Sequence, residues 1–115
     1  MATYLLLLYD DPVLFRDLSP EEMQRVIQKY RAWGASLQES GRLVGSNKLK
    51  DDGGRILRTD AGKPRVLDGP FSETKEIIGG YFAVDAADYR EATEIASSCP
   101  HLDYGTIYIR EVDQV

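Results

Sequence analysis

The segment Tyr4-Leu5-Leu6-Leu7-Leu8-Tyr9 is apolar on both of its alternating faces, with Tyr4, Leu6 and Leu8 on one and Leu5, Leu7 and Tyr9 on the other. A strand reads this way when both faces of its sheet are covered, so Thr3 to Tyr9 is expected to be a central strand. The run has strand length, well short of the roughly 20 apolar residues that cross a bilayer. Asp10-Asp11-Pro12 ends it with turn chemistry.

Ser19-Pro20-Glu21-Glu22 opens a helix, with Ser19 as cap, Pro20 in the first turn and Glu22 completing a capping box. Met23, Val26, Ile27, Tyr30, Trp33 and Leu37 follow at helical spacing as one apolar stripe, and Gly41 is the stop signal. Leu43 to Leu49 reads as a second strand. Asp51-Asp52-Gly53-Gly54 and Asp60-Ala61-Gly62-Lys63 then punctuate two short extended runs, Arg55 to Thr59 and Arg65 to Leu67, as an inserted hairpin. Gly79 to Ala86 is a strand, Asp88 to Ser97 a second helix, and Thr106 to Glu111 the last strand.

This order is the split β-α-β plan of ferredoxin-like α+β domains, here with an inserted β-hairpin and two helices on one face of an antiparallel sheet. One domain over residues 1–115 is expected from a chain of 115 residues with 43% hydrophobic content. The plan leaves the opposite sheet face bare. Because burying each large apolar side chain is worth roughly 1.5–3 kcal/mol, a second copy packed face to face, a dimeric α+β barrel, is the expected partner.

Charge excludes some partners. With 14 Lys and Arg against 19 Asp and Glu the net charge is −5, which repels phosphate backbones, and the densest basic stretch, Arg42 to Arg58, is interrupted by Asp51 and Asp52. Direct nucleic-acid binding is not expected. Cys99 is the single cysteine, so no internal disulfide or multi-cysteine metal site forms within one chain. With no signal-peptide pattern and no membrane span, a soluble cytoplasmic protein is expected.

Two loops carry candidate chemistry. Asp68-Gly69-Pro70 precedes one strand, Cys99-Pro100-His101-Leu102 precedes another, and the ferredoxin-like plan brings both to one rim of the sheet beside Asp10 and Asp11. A histidine beside a carboxylate is a useful pair, because the carboxylate fixes the imidazole tautomer and supports its charged form. His101 with Asp68 is the candidate catalytic pair, with Asp10 or Asp11 as the alternative partner for the ring. The competing reading makes Asp68 a turn residue and His101 a structural one.

Lys75, between Glu73 and Glu76, reads as a solvated ion pair, with anion binding or Schiff-base formation as the alternatives, and Asp10, Lys75 and Tyr104 are the candidate ligand contacts on the rim. Tyr9 reads as core, and Cys99 as a small buried hydrophobe. One His, one Cys and scattered carboxylates do not make a metal-ligand set, and Gly79-Gly80 lacks a phosphate-loop pattern, so neither metal nor cofactor is expected.

The run from Asp68 to Glu76, DGPFSETKE, followed by Gly79-Gly80-Tyr81 and by Cys99-Pro100-His101-Leu102, resembles the DGPF-domain proteins of the YCII-related family, over almost the whole chain. The resemblance implies a bacterial protein with the ferredoxin-like dimeric barrel fold. It implies acid–base catalysis on a small molecule through a histidine and an aspartate, here His101 and Asp68. It also implies an association with extracytoplasmic-function sigma factors, which at this net charge would run through protein contacts and not through DNA. Two functions follow as expectations. One is an enzyme of lyase, isomerase or hydrolase type using His101 and Asp68; the other is a non-catalytic metabolite-binding or accessory protein.

Overall fold

The computed structural model describes residues 1–68 and 76–115, so most of the DGPF loop, with Lys75, lies outside the described residues. Its elements are β1 (Ala2–Asp10), α1 (Pro20–Glu39), β2 (Leu43–Lys48), β3 (Arg55–Asp60), β4 (Lys63–Asp68), β5 (Ile77–Ala86), α2 (Tyr89–Ala96) and β6 (Gly105–Glu111). Two short 3₁₀ turns, Pro12–Phe15 and Pro100–Asp103, follow β1 and precede β6. The main sheet has the order β2-β5-β1-β6 and is antiparallel throughout, which is the ferredoxin-like arrangement with both helices on one face.

The two-sided apolar segment occupies a central position, between β5 and β6. Tyr4, Leu6, Leu8 and Asp10 point to the helix face and are buried; Leu5, Leu7 and Tyr9 point the other way and are only half-buried. Tyr9, expected in the core, therefore lies outside it. Its ring packs on Tyr108 of β6, centroids 4.6 Å apart, on the uncovered face of the sheet. The alternation of β1 and the single layer of helices decide this: among the described residues, every second side chain has no element above it.

The main helix begins as its sequence demands. Ser19 Oγ accepts from Glu22 N at 3.1 Å and Glu22 Oε1 accepts from Ser19 N at 3.3 Å, closing the capping box. Gly41 takes φ of +75° and ends it. Only the C-terminal half of α1 is clamped to the sheet. Trp33 and Leu37 are buried, Trp33 packs edge-on against Phe82 at 4.9 Å, and its indole N–H donates to Ser98 Oγ just after α2. Met23, Val26, Ile27 and Tyr30 belong to the same stripe yet stay half-buried, because α1 stands away from the sheet toward its N-terminus.

The β1–β5 ladder carries one irregularity. Leu8 pairs with Gly80 but Tyr9 pairs with Ile78, so Gly79 is an extra residue in β5, a β-bulge opposite the end of β1. The inserted hairpin forms a separate two-stranded sheet, β3 with β4, in register from Arg55↔Asp68 to Asp60↔Lys63. It is turned by Ala61 and Gly62, both at positive φ. The molecule measures 48 × 44 × 18 Å with a radius of gyration of 16.0 Å. A compact chain of this length would have about 13 Å, so mass lies well away from the centre.

Candidate active site

The gap between the N-terminal half of α1 and the sheet is a cleft of about 540 Å³, within the range of small-molecule sites. Its floor is Leu8, Asp10, Gly79, Gly80 and Phe82; its roof is Met23, Val26, Ile27, Tyr30 and Gly34. Glycines line both walls. In the middle of a 20-residue helix Gly34 costs about 1 kcal/mol against alanine, and a Cβ there would lie 3.4 Å from the Phe82 ring. Lys48 stands at the β2 edge of the cleft, where its ammonium donates to Leu49 O at 2.9 Å and to Asp51 at 3.2 Å.

Asp10 lies on the floor, only 8% exposed. The bulge at Gly79 is what admits it: a Cβ there would sit 3.0 Å from Oδ2 and 3.3 Å from Oδ1. Burial pushes the Asp10 carboxyl above the ordinary aspartate range, because the apolar cleft solvates its charge poorly; the neighbouring His101 pulls in the opposite direction.

His101 is 1% exposed, carried inward by the Pro100–Asp103 turn. Its Nε2 lies 2.8 Å from Tyr9 O and its Nδ1 lies 2.9 Å from Tyr30 Oη. A carbonyl only accepts, so Nε2 carries the proton and donates to Tyr9, and in the neutral ring Nδ1 accepts from the Tyr30 hydroxyl. Both ring nitrogens are thus occupied, and the ring ties β1 to α1. Gly105 permits this approach, since a Cβ there would meet Tyr9 O at 2.0 Å and His101 Nε2 at 2.9 Å. Burial pushes the Tyr30 hydroxyl upward, which keeps it a neutral donor.

The structure brings Asp10 and His101 together and leaves Asp68 elsewhere. Asp68 ends β4 on the hairpin, where its 83% exposed carboxylate accepts from Arg55 at 2.8 Å beside Asp52 and Gly54. The expected contact between His101 and Asp68 is absent for a physical reason. The separate hairpin sheet gives Asp68 a cation of its own, and the 3₁₀ turn buries His101 toward α1. Tyr104 packs behind the site, its ring 5.5 Å from Phe15 and 6.3 Å from Tyr30. Lys75 lies outside the described residues. Cys99 is buried and its thiol is pushed up to about 11 by burial, which leaves it inert as a nucleophile near neutrality.

Sequence reasoning missed Tyr30, which it placed among the apolar stripe of α1. The signal was present: a tyrosine in such a stripe brings a hydroxyl into the interior, where it needs a partner. Among the described residues no group of three His, Cys, Asp or Glu side chains is placed to hold a metal ion, and no helix is long and apolar enough to cross a membrane.

A protein of Rhizobium meliloti (strain 1021), named only as uncharacterised, is 35% identical over 94 residues, which cover 81% of this chain and 76% of that relative. The YCII-related domain matches residues 2–115, and with nearly its full length so matched the chain belongs to the YCII-related family.

Proposed function

We propose that this protein is a small-molecule enzyme of isomerase or lyase type, in which Asp10 moves a proton on a largely apolar organic substrate held between α1 and the sheet. The observation that carries this reading is a buried carboxyl, raised above its ordinary range, on the floor of a cleft large enough for such a molecule. A carboxyl raised above its ordinary range is better matched to both halves of a proton transfer than an ordinary one. In an isomerisation the Asp10 carboxylate takes a proton from one carbon and returns it to another, so no net charge or co-reactant is consumed. His101 is assigned a positioning role, since neither ring nitrogen is free: it holds Tyr30, and with it α1, over Asp10. Asp68 has no part in this reading.

The test is solvent exchange. The protein is incubated in D₂O with a panel of small carbonyl compounds and lactones, and deuterium incorporation is followed by NMR. For any compound that exchanges, Asp10→Asn is expected to lower kcat by about 10²–10⁴ with KM changed only a few-fold. Full exchange by Asp10→Asn would refute the assignment.

A second reading is a metabolite-binding accessory protein, and the full occupation of His101 favours it. A role beside an extracytoplasmic-function sigma factor belongs to this reading. Here Asp10 recognises a donor group on the ligand and transfers nothing. Tight binding of a panel compound without exchange would select it.

A further inference from the structure

The cleft between α1 and the sheet is charged differently on its two sides. On the β1 side stand Asp10 and the hydrogen-bonded pair of Tyr30 and His101. On the β2 side stand Lys48, from the floor, and Arg31, from the roof. Helix geometry puts Arg31 there. Trp33 reaches Ser98 just after α2, and Arg31, two positions earlier, is turned about 200° from it, onto the flank of α1 that faces away from α2. That flank is the one nearer β2, since α1 meets β2 and α2 meets β6.

Between the two sides the floor is bare. Lys48 pairs with Gly80, Gly80 pairs with Leu8, and the bulged Gly79 borders the Asp10 carboxyl, so only glycine backbone of β5 separates ammonium from carboxyl. A side chain at Gly80 has no room, because a Cβ would meet Asn47 O at 2.9 Å. β1 and β2 flank β5 and stand two strand spacings apart, about 9.6 Å, a distance that one small molecule bridges. The charges of Lys48 and Asp51 both reach the Asp10 carboxyl, the first favouring its ionised form and the second opposing it.

The charge count selects the ligand. Lys48 donates to Asp51 at 3.2 Å in an exposed pair of the kind that contributes little and exchanges partners readily. Arg31 is exposed and has no hydrogen-bond or ion-pair partner among the described residues. Two cations against the one carboxylate of Asp51 leave a single net positive charge on this side, which matches a monoanion and not a phosphate dianion. The planar fork of a guanidinium suits a carboxylate in particular.

We infer that the β2 side of the cleft is an anion subsite, in which Arg31 and Lys48 hold the carboxylate of a short, otherwise apolar acid whose reacting carbon lies over Gly79 and Gly80 beside Asp10. The inference rests on the reading of this cleft as the site of proton transfer by Asp10, and it narrows the substrate to a monocarboxylic acid.

The test is an NMR titration of the protein with the straight-chain acids butyrate to octanoate and with levulinate, each beside its methyl ester. The acids are expected to bind about fivefold tighter than their esters or better, and the preference is expected to vanish in about 0.5 M NaCl. Arg31→Gln/Lys48→Gln is expected to abolish the preference and leave the affinity for the esters unchanged, a split that a general loss of structure does not produce. Equal binding of acid and ester, a preference that survives in the double variant, or no acid bound at about 10 mM overturns the inference. Deuterium exchange in the same samples scores Asp10 separately. Exchange that depends on Asp10 without any preference for acids overturns the subsite alone; preferred binding of acids, with exchange absent or undiminished in Asp10→Asn, upholds the subsite and refutes proton transfer by Asp10.

Discussion

Removing one oxygen atom tests whether Tyr30 and His101 work as a unit. In Tyr30→Phe the ring stays and only the hydroxyl that donates to His101 Nδ1 is lost, leaving a 1% exposed imidazole with an acceptor and no donor. A buried polar group stripped of its partner costs about 1–3 kcal/mol, more than the net worth of the bond itself. For a domain of this size each kcal/mol lowers the thermal midpoint by roughly 4–5 °C, so the variant is expected to melt about 4–15 °C below the parent. Differential scanning calorimetry gives the midpoint, and ¹⁵N NMR of the single imidazole shows whether Nδ1 has lost a donor. A midpoint within 2 °C of the parent, together with unchanged ¹⁵N shifts, would refute the reasoning. A lower midpoint with unchanged shifts would place the cost in packing.

Asp10→Asn is expected to stabilise the protein at neutral pH. The folded-state pKa of Asp10 is raised, so the native state holds a proton that the unfolded chain releases near pH 3.9; stability falls as pH rises from there through the folded value and stays low above it. Urea midpoints should favour the variant at pH 7, and the advantage should disappear below about pH 4. Gly34→Ala is expected to raise stability by about 1 kcal/mol, as helix propensity dictates, since the new methyl lies in ordinary contact with Phe82 at 3.4 Å. The same methyl enters the cleft, so affinity for any ligand found there should drop, measured by calorimetric titration. Gly105→Ala places a methyl 2.0 Å from a backbone oxygen and beside His101, and is expected to cost more than about 4 kcal/mol or to prevent folding, read by urea denaturation.

Much of the fold is legible locally. The two-sided pattern of Tyr4 to Tyr9 places β1 in the middle of the sheet because alternation is a covalent property of the strand, and the capping box at Ser19 and Glu22 starts α1 without help from elsewhere. The site is less legible because it depends on where two elements meet. Nothing near His101 in sequence says that a 3₁₀ turn will aim its ring at a tyrosine 71 residues earlier. Topology correctly gathers Asp10 and His101 at one rim, whereas Asp68 is drawn off by Arg55 across a hairpin whose placement no periodicity encodes. The stripe of α1 predicts an apolar face but not that half of it overhangs empty space, since that depends on how the helix crosses a sheet formed by distant strands.

The extra residue in β5 has a consequence for how such a cleft is altered over time. With an unbroken ladder continued from Leu8 and Gly80, Gly79 would stand opposite Tyr9, and Ile78 would replace Ile77 opposite Asp10. As it is, Ile78 stands opposite Tyr9, and a glycine borders Asp10. The shape of the cleft floor is therefore set by a count of residues as much as by their identity. A one-codon deletion of Gly79 would keep Ile78 opposite Tyr9 and Ile77 opposite Asp10 while removing the bulge, and so take the bordering glycine from the carboxyl in a single step, an outcome that no single substitution there reproduces.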